Sequence, residues 1–149
     1  MGERAPAPLD EATVQALAER IHSIPISSFL KMELVEARTG TCTVRVPRDP
    51  RYDGVFESFH GGILMTIADS VACYAVLTLT GPDQALTTTD MNIRFLAPCL
   101  SDVRAEARVI KHGRTLCPVS VDLFDEKGAH VAVAQVNYML LPKIPGRRG

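Results

Sequence analysis

The chain has 149 residues, 46% hydrophobic and 22% charged, which is ordinary for a single globular domain with its own core. The formal net charge of −1 argues against a nucleic-acid-binding surface, and the spacing of histidines and cysteines does not match a zinc site. Residues 1–149 are expected to form one domain, with a loose start at 1–8 and a basic tail at 143–149.

The cysteines are widely spaced and include no C-x-x-C pair; they are Cys42, Cys73, Cys99 and Cys117. Four cysteines could form two disulfides, but no secretory signal precedes the domain. Free thiols in a cytoplasmic protein are therefore favoured over disulfides.

The first half of the chain predicts one helix and two strands. Residues 9–21 have apolar side chains at helical spacing behind the capping residue Asp10, and Pro25 prevents continuation of this helix. Residues 29–47 alternate as two strands around a turn at Thr39-Gly40. A polar loop over residues 48–58 follows.

The next segment, residues 61–79, is almost entirely apolar apart from Asp69. Its length is close to the ~20 residues of a membrane-spanning helix. A carboxylate at the centre of such a helix costs roughly 2.5–3.5 kcal/mol, and the rest of the chain alternates like soluble strands. A helix buried on all sides inside a domain is therefore the preferred interpretation.

The pattern after Gly81-Pro82 returns to alternation and predicts four strands, at residues 85–98, 101–113, 114–128 and 129–142. Tight turns join most of them, which favours antiparallel pairing. The predicted fold class is α+β, with a curved six-stranded antiparallel sheet around one long central helix and a short N-terminal helix.

Asp69 is a candidate catalytic residue, because a carboxylate in an apolar helix is costly to bury unless it is paired or neutralised. In a helix that starts near Gly61, a stripe leads from the glycines to the acid: Gly62, Met65, Thr66, Asp69, Ala72, Cys73 and Val76. Two glycines at a helix start leave backbone N–H groups open to a ligand, as an oxyanion site requires. A nearby carboxylate acts as nucleophile or as base for water, so the spacing fits acyl transfer to water.

Other interpretations of these residues remain open. Gly61-Gly62 also fits a plain tight turn, and Asp69 a satisfied buried acid or an acid at a subunit interface. His60 fits a helix cap or an orienting hydrogen-bond donor better than a catalytic base.

The segment "HGGILMTIADS" resembles the hotdog-fold thioesterases, specifically the branch of the phenylacetate-degradation thioesterases. That family has His-Gly-Gly followed by an acid nine residues after the His, and His60, Gly61, Gly62 and Asp69 match this pattern. "TTTDMNIRFLAP", "HGRTLCPVSVDLFDEKG" and "AVAQVNYMLLP" resemble the family's later strands. The resemblance covers about residues 30–142.

The resemblance implies an acyl-CoA thioesterase whose active sites form between two protomers, with dimers that commonly pair again into a homotetramer. The Gly61 N–H would polarise the thioester carbonyl, and Asp69 of the neighbouring protomer would act as base or nucleophile. Thr88 aligns best with an assisting hydroxyl, with Thr87 and Thr89 as close rivals. No metal or organic cofactor is implied, and coenzyme A arrives as part of the substrate.

The resemblance also suggests where substrate binds. Lys111 and Arg114 resemble basic residues that hold coenzyme A phosphates, although a solvated hairpin end is an equal alternative. Arg94, Arg147 and Arg148 are weaker candidates. The acyl pocket is expected beside Gly62, Met65 and Cys73, with Cys73 as a small buried hydrophobe rather than a reactive thiol.

One departure from the family pattern concerns a side-chain amide. The family often has Asn or Gln six residues before the His and Gly three before it, where this chain has Gly54 and Glu57. Asp53, Glu57 or Ser58 could substitute. The departure leaves two alternatives to the thioesterase: a non-catalytic acyl-CoA-binding module, and a hotdog dehydratase or hydratase, which would need a second catalytic histidine.

Overall fold

The computed structural model describes residues 5–142 as one α+β domain. A six-stranded sheet, antiparallel throughout, encloses a 20-residue helix that contacts all six strands, as the sequence predicts. The helices are α1 (Glu11–Ser23), α2 (Pro25–Phe29) and α3 (Gly61–Thr80), with a 3-10 turn at Pro50–Tyr52. The strands are β1 (Glu33–Arg38), β2 (Thr41–Val46), β3 (Leu86–Phe95), β4 (Val103–Val109), β5 (Leu116–Asp125) and β6 (His130–Leu140).

The N-terminal helix begins and ends where the sequence predicts. The Asp10 side chain accepts a hydrogen bond of 2.7 Å from the Thr13 N–H, and α1 stops at Ser23. Pro25 also begins α2, a short helix that the sequence analysis missed, because proline is well tolerated at a first helical position. Within the predicted loose start, the Thr39 N–H bonds to the Ala7 carbonyl, so Ala7 lies against the turn that follows β1.

Strand order fixes which parts of the molecule meet. The order is β1-β2-β4-β5-β6-β3, so β1 and β3 are the edge strands. The end of β3 lies beside the start of α3, where the Phe95 ring comes within 3.0 Å of the position a Cβ on Gly61 would occupy. The opposite end of β3 lies beside the β4–β5 hairpin, since Leu140 pairs with Leu86 and donates its N–H to the Thr115 carbonyl.

The long helix has the length and hydropathy of a membrane span, but 56% of its most apolar 18-residue window is buried inside the domain. Its accessible stripe includes Met65, Thr66, Asp69 and Cys73. Ala72 and Val76 were predicted on the same side of the helix, and both are fully buried, so the accessible part of this stripe ends at Cys73.

All four cysteines are free thiols. Burial raises the pKa of the Cys42 thiol to about 12, so it is protonated and behaves as an apolar core group. The predicted basic tail, with Arg147 and Arg148, lies outside the described residues.

A buried hydroxyl pair between Ser27 and Tyr74 links α2 to α3, and both side chains are only 1% exposed. Tyr74→Phe leaves the Ser27 hydroxyl without this partner, so the free energy of unfolding should fall by about 1–3 kcal/mol. Ser27→Ala combined with Tyr74→Phe should recover part of the loss, because no polar group is then stranded. Urea unfolding at one fixed protein concentration measures both effects. A double variant no more stable than Tyr74→Phe would contradict this account.

Candidate active site

His60 caps the start of α3. Its Nδ1 accepts a 2.9 Å hydrogen bond from the Gly62 N–H, which requires an unprotonated Nδ1 and, in the neutral ring, a proton on Nε2. The ring nitrogen that could serve as a base is therefore already occupied. This geometry favours the capping interpretation of His60 over catalysis by its ring.

Gly61 is the first residue of α3, so its backbone N–H has no acceptor within the helix. No hydrogen bond formed within residues 5–142 uses this N–H. A Cβ on Gly61 would lie 3.0 Å from Phe95 Cζ, and one on Gly62 would lie 3.0 Å from His60 Nδ1. Both glycines therefore permit close approach at the helix start.

Arg48 holds the loop that leads into this turn, and the sequence analysis did not single it out. Its Nη2 donates to Asp53 Oδ2 at 2.7 Å and to the Glu57 carbonyl at 3.3 Å, while Nη1 donates to the Cys99 carbonyl at 3.2 Å. The sequence did offer a signal for this ion pair, because Arg48 follows β2 and Asp53 comes five residues later. The ion pair is largely buried and fixes the path of residues 53–59.

Three residues were candidates for the missing amide, and the structure separates their positions. Asp53 is paired with Arg48 through Oδ2, while its Oδ1 is buried and has no hydrogen-bond partner in the described part of the chain. Ser58 lines a cavity beside Gly61, and Glu57 is exposed. Gly54 contributes no side chain, and Asp53 lines a second cavity, beside His60 and Gly62.

Two cavities flank the start of α3. One, of about 440 Å³, lies beside Gly61, with Leu64, Phe95 and Leu96 among its walls. The other, of about 460 Å³, lies beside His60 and Gly62 and includes Tyr52 and Asp53. The helix start is therefore open to a ligand from two sides.

Asp69 is held by two hydroxyl groups. Thr88 Oγ1 donates to Asp69 Oδ1 at 2.7 Å, and the Tyr138 phenol lies 2.8 Å from the same oxygen and 2.8 Å from the Asp69 carbonyl. The sequence analysis missed Tyr138. The alternation of β6 could have indicated it, because an inward-facing tyrosine has a buried phenol that needs a polar partner.

The three threonines at the start of β3 have different partners. The pairing of β3 with β6 shifts by one residue between Thr88 and Asp90, a bulge of the kind that redirects side chains. Thr88 reaches Asp69, whereas Thr89 Oγ1 bonds to Asp90 and to the Asn137 carbonyl. Thr87 is exposed. Only Thr88 meets the carboxylate.

Burial keeps the groups around Asp69 protonated. It raises the pKa of the Tyr138 phenol well above its usual range, with further contributions from Cys73 and the Asp69 carboxylate. It also raises the pKa of the Cys73 thiol to about 12, again with Asp69 as a secondary cause. Tyr138 therefore remains a hydrogen-bond donor, and Cys73 is not an activated nucleophile. Met65 lies one turn before Asp69 and is partly buried.

One chain does not bring all the predicted residues together. Eight residues separate Gly61 from Asp69 along α3, a distance of about 12 Å at 1.5 Å per residue. Lys111 and Arg114 are exposed in the hairpin at the far end of the sheet from Gly61. Arg94 is exposed, and its Nη1 bonds to the Ile93 carbonyl.

The described residues do not form a recognisable metal-binding site. Within 5–142 no group of three His, Cys, Asp or Glu side chains is arranged to hold a metal ion. The chemistry available at this site is that of a helix N-terminus and a hydrogen-bonded carboxylate.

Comparison with known proteins places the chain in a family. Residues 56–132 match the family model for the thioesterase superfamily. Human acyl-coenzyme A thioesterase 13 is 30% identical over 95 residues, which cover 62% of this chain and 67% of the human protein.

Solved structures support the same fold. A thioesterase family protein from Silicibacter pomeroyi superposes with a TM-score of 0.81 at 23% identity, over 88% of this chain and 99% of that one. The E. coli PaaI protein from the phenylacetic acid degradation operon gives 0.80 at 18% identity, over 87% and 94%. At these identities the structures establish the fold alone.

The chain therefore belongs to the thioesterase superfamily and has its hotdog fold. It is homologous to acyl-coenzyme A thioesterase 13. The resemblance to the phenylacetate-degradation branch is confirmed at the level of the family.

The His60 cap gives a spectroscopic prediction. Imidazole ¹⁵N spectra at neutral pH should show His60 as the tautomer protonated on Nε2, because Nδ1 accepts from Gly62. Gly62→Ala places a Cβ 3.0 Å from Nδ1, so the cap should loosen and the tautomers should mix. His60→Gln identifies the signal. A wild-type ring protonated on Nδ1 would exclude the cap.

Proposed function

We propose that the protein hydrolyses the thioester of an acyl-coenzyme A to a free carboxylic acid and coenzyme A. The observation that carries this proposal is the Asp69 carboxylate, held on one oxygen by Thr88 and Tyr138 inside an apolar domain. Membership of the thioesterase superfamily and homology to acyl-coenzyme A thioesterase 13 support the same activity.

The proposed roles follow from the two ends of the site. The free Gly61 N–H, at the positive end of α3, stabilises negative charge that develops on the carbonyl oxygen. Asp69 attacks the carbonyl carbon or deprotonates the attacking water. Thr88 holds the carboxylate, and His60 holds the glycine turn in place through its bond to Gly62.

The active site requires two protomers in this proposal. About 12 Å separates Gly61 from Asp69 in one chain, too far for both to contact one carbonyl group. The edge strand β3 has Phe95 next to Gly61 at one end and Thr88 next to Asp69 towards the other. Two copies that pair antiparallel along β3 would bring Gly61 of one towards Asp69 of the other.

The same arrangement of two protomers would allow Lys111 and Arg114 to bind substrate. Within a chain they lie towards the Asp69 end of the sheet, because Cys117, just after the hairpin, pairs with Tyr138. They would therefore approach the active site together with Asp69 and bind coenzyme A phosphates.

Val55 and Phe56, 98% and 82% exposed, offer apolar surface for pairing of dimers into a tetramer. A cytoplasmic location is part of the proposal, and four free thiols suit it.

A non-catalytic acyl-CoA-binding module is the second candidate, because Gly54 supplies no amide next to His60. Calorimetric binding of acyl-CoA without release of thiol would favour it. The dehydratase alternative has less support, since the His60 ring caps α3 and the other three histidines, His22, His112 and His130, are exposed.

Asp69→Asn should reduce kcat by about 10²–10⁴-fold, the range expected when a general base is lost. The measurement is thiol release from short, medium, long and aromatic acyl-CoAs. Asp83→Asn, a change of the same chemistry in an exposed turn, is the matched control and should retain wild-type rates. An Asp69→Asn variant as active as this control would remove Asp69 from the mechanism.

Mixed dimers test the two-protomer site. Gly61→Pro deletes the N–H while proline suits the first helical position, and His60 already has an extended ψ of 132°. Gly61→Pro and Asp69→Asn should each be inactive alone. Mixed as subunits they should regain about a quarter of wild-type activity, since half the dimers are mixed and one of their two sites is intact.

Gly61→Ala is the matched control for that experiment, because it adds a comparable Cβ beside Phe95 but keeps the N–H. It should remain more active than Gly61→Pro. Absence of recovery in verified mixed dimers would show that one chain forms the site.

A further inference from the structure

We propose that Tyr138 is a positioning residue that, together with Thr88, holds Oδ1 of Asp69 and leaves Oδ2 as the oxygen that reacts. Its effect on turnover rests on the thioesterase function proposed above. Its effect on the carboxylate does not.

The contacts at Asp69 are unequal between its two oxygens. Oδ1 has the Thr88 hydroxyl at 2.7 Å and the Tyr138 phenol at 2.8 Å, whereas no hydrogen bond within the described residues involves Oδ2. A carboxylate with both donors on one oxygen has a fixed rotation about its side chain. The other oxygen stays available to a carbonyl carbon or a water molecule.

Tyr138 is built into the core, so the position of its phenol is well determined. The residue is 5% exposed, pairs with Thr88 on β3 and with Cys117 on β5, and also reaches the Asp69 carbonyl at 2.8 Å. The phenol has one proton, which it shares between Oδ1 and the carbonyl oxygen of Asp69, and it thus links Asp69 to the sheet. Burial raises the pKa of Tyr138 and maintains the donor across the neutral pH range.

Cys73 is another titratable group beside Asp69. It follows one turn later on α3, and burial, with Asp69 as a secondary cause, raises the pKa of its thiol to about 12. The thiol therefore stays protonated at neutral pH, and a change in the Asp69 carboxylate signal after a Tyr138 substitution would report the lost phenol.

Tyr138→Phe removes only the hydroxyl. We expect kcat to fall by about 10–100-fold with little change in KM, because the carboxylate loses its fixed orientation. The ¹³C signal of the Asp69 carboxylate, recorded at one fixed neutral pH, should move from its wild-type position, since Oδ1 loses a hydrogen bond.

Tyr74→Phe is the matched control, since Tyr74 is another buried tyrosine with its phenol on Ser27 rather than on Asp69. It should lower stability without moving the Asp69 carboxylate signal. Thr88→Val removes the second donor and should move that signal in the same direction as Tyr138→Phe, so it tests the contacts of Oδ1 if Tyr138→Phe does not fold.

The outcomes separate the two proposals. A shifted Asp69 carboxylate signal in Tyr138→Phe, with no hydrolysis of any acyl-CoA by the wild-type protein, would support the Tyr138 contact and contradict the thioesterase function. An unshifted signal and unchanged kcat in Tyr138→Phe, in an active enzyme, would overturn the role of Tyr138 alone.

Discussion

The enclosure of α3 by the sheet is the constraint on which the rest of the structure depends. The helix is apolar on nearly every side, so it is stable only where six strands cover it. A carboxylate inside such a helix must find donors in the surrounding sheet. Thr88 on an edge strand and Tyr138 on its neighbour supply them, and the bulge in β3 turns Thr88 towards the acid.

The start of the same helix has hydrogen-bond donors that need acceptors, whereas Asp69 is an acceptor that needs donors. Its first N–H groups need acceptors, and His60 satisfies the Gly62 N–H, while the Gly61 N–H has no acceptor among residues 5–142. Arg48 fixes the loop that presents this turn. One buried helix thus carries an unpaired backbone donor at its start and a carboxylate about 12 Å further along its axis. In the proposed function, symmetry between two protomers closes that distance.

Much of this was predictable from sequence, and the failures have physical causes. Periodicity found all six strands and the buried helix, and the motif spacing selected Asp69 and Gly61. Thr88 came from the family resemblance, with Thr87 and Thr89 as rivals. Tyr138 was missed because strand alternation marks it as a core residue and says nothing of its phenol's partner. Arg48 was missed because its partners Asp53 and Glu57 lie in an irregular loop, and because its contact with the Cys99 carbonyl joins segments distant in sequence. The burial of Ala72 and Val76 did not follow from the helical stripe, because the period places residues on one side of α3 and does not say how far other elements cover that side.

The most direct test of the central claim is a crystal structure with an acyl-CoA analogue in which a methylene group replaces the thioester sulfur. The account predicts the analogue's carbonyl oxygen about 3 Å from the Gly61 nitrogen of one protomer, the distance of an oxyanion-site donor. Oδ2 of Asp69 of the partner subunit should face the carbonyl carbon, with Oδ1 still on Thr88 and Tyr138. A carbonyl bound away from Gly61, or an Asp69 of either chain too distant to reach it, would contradict the account.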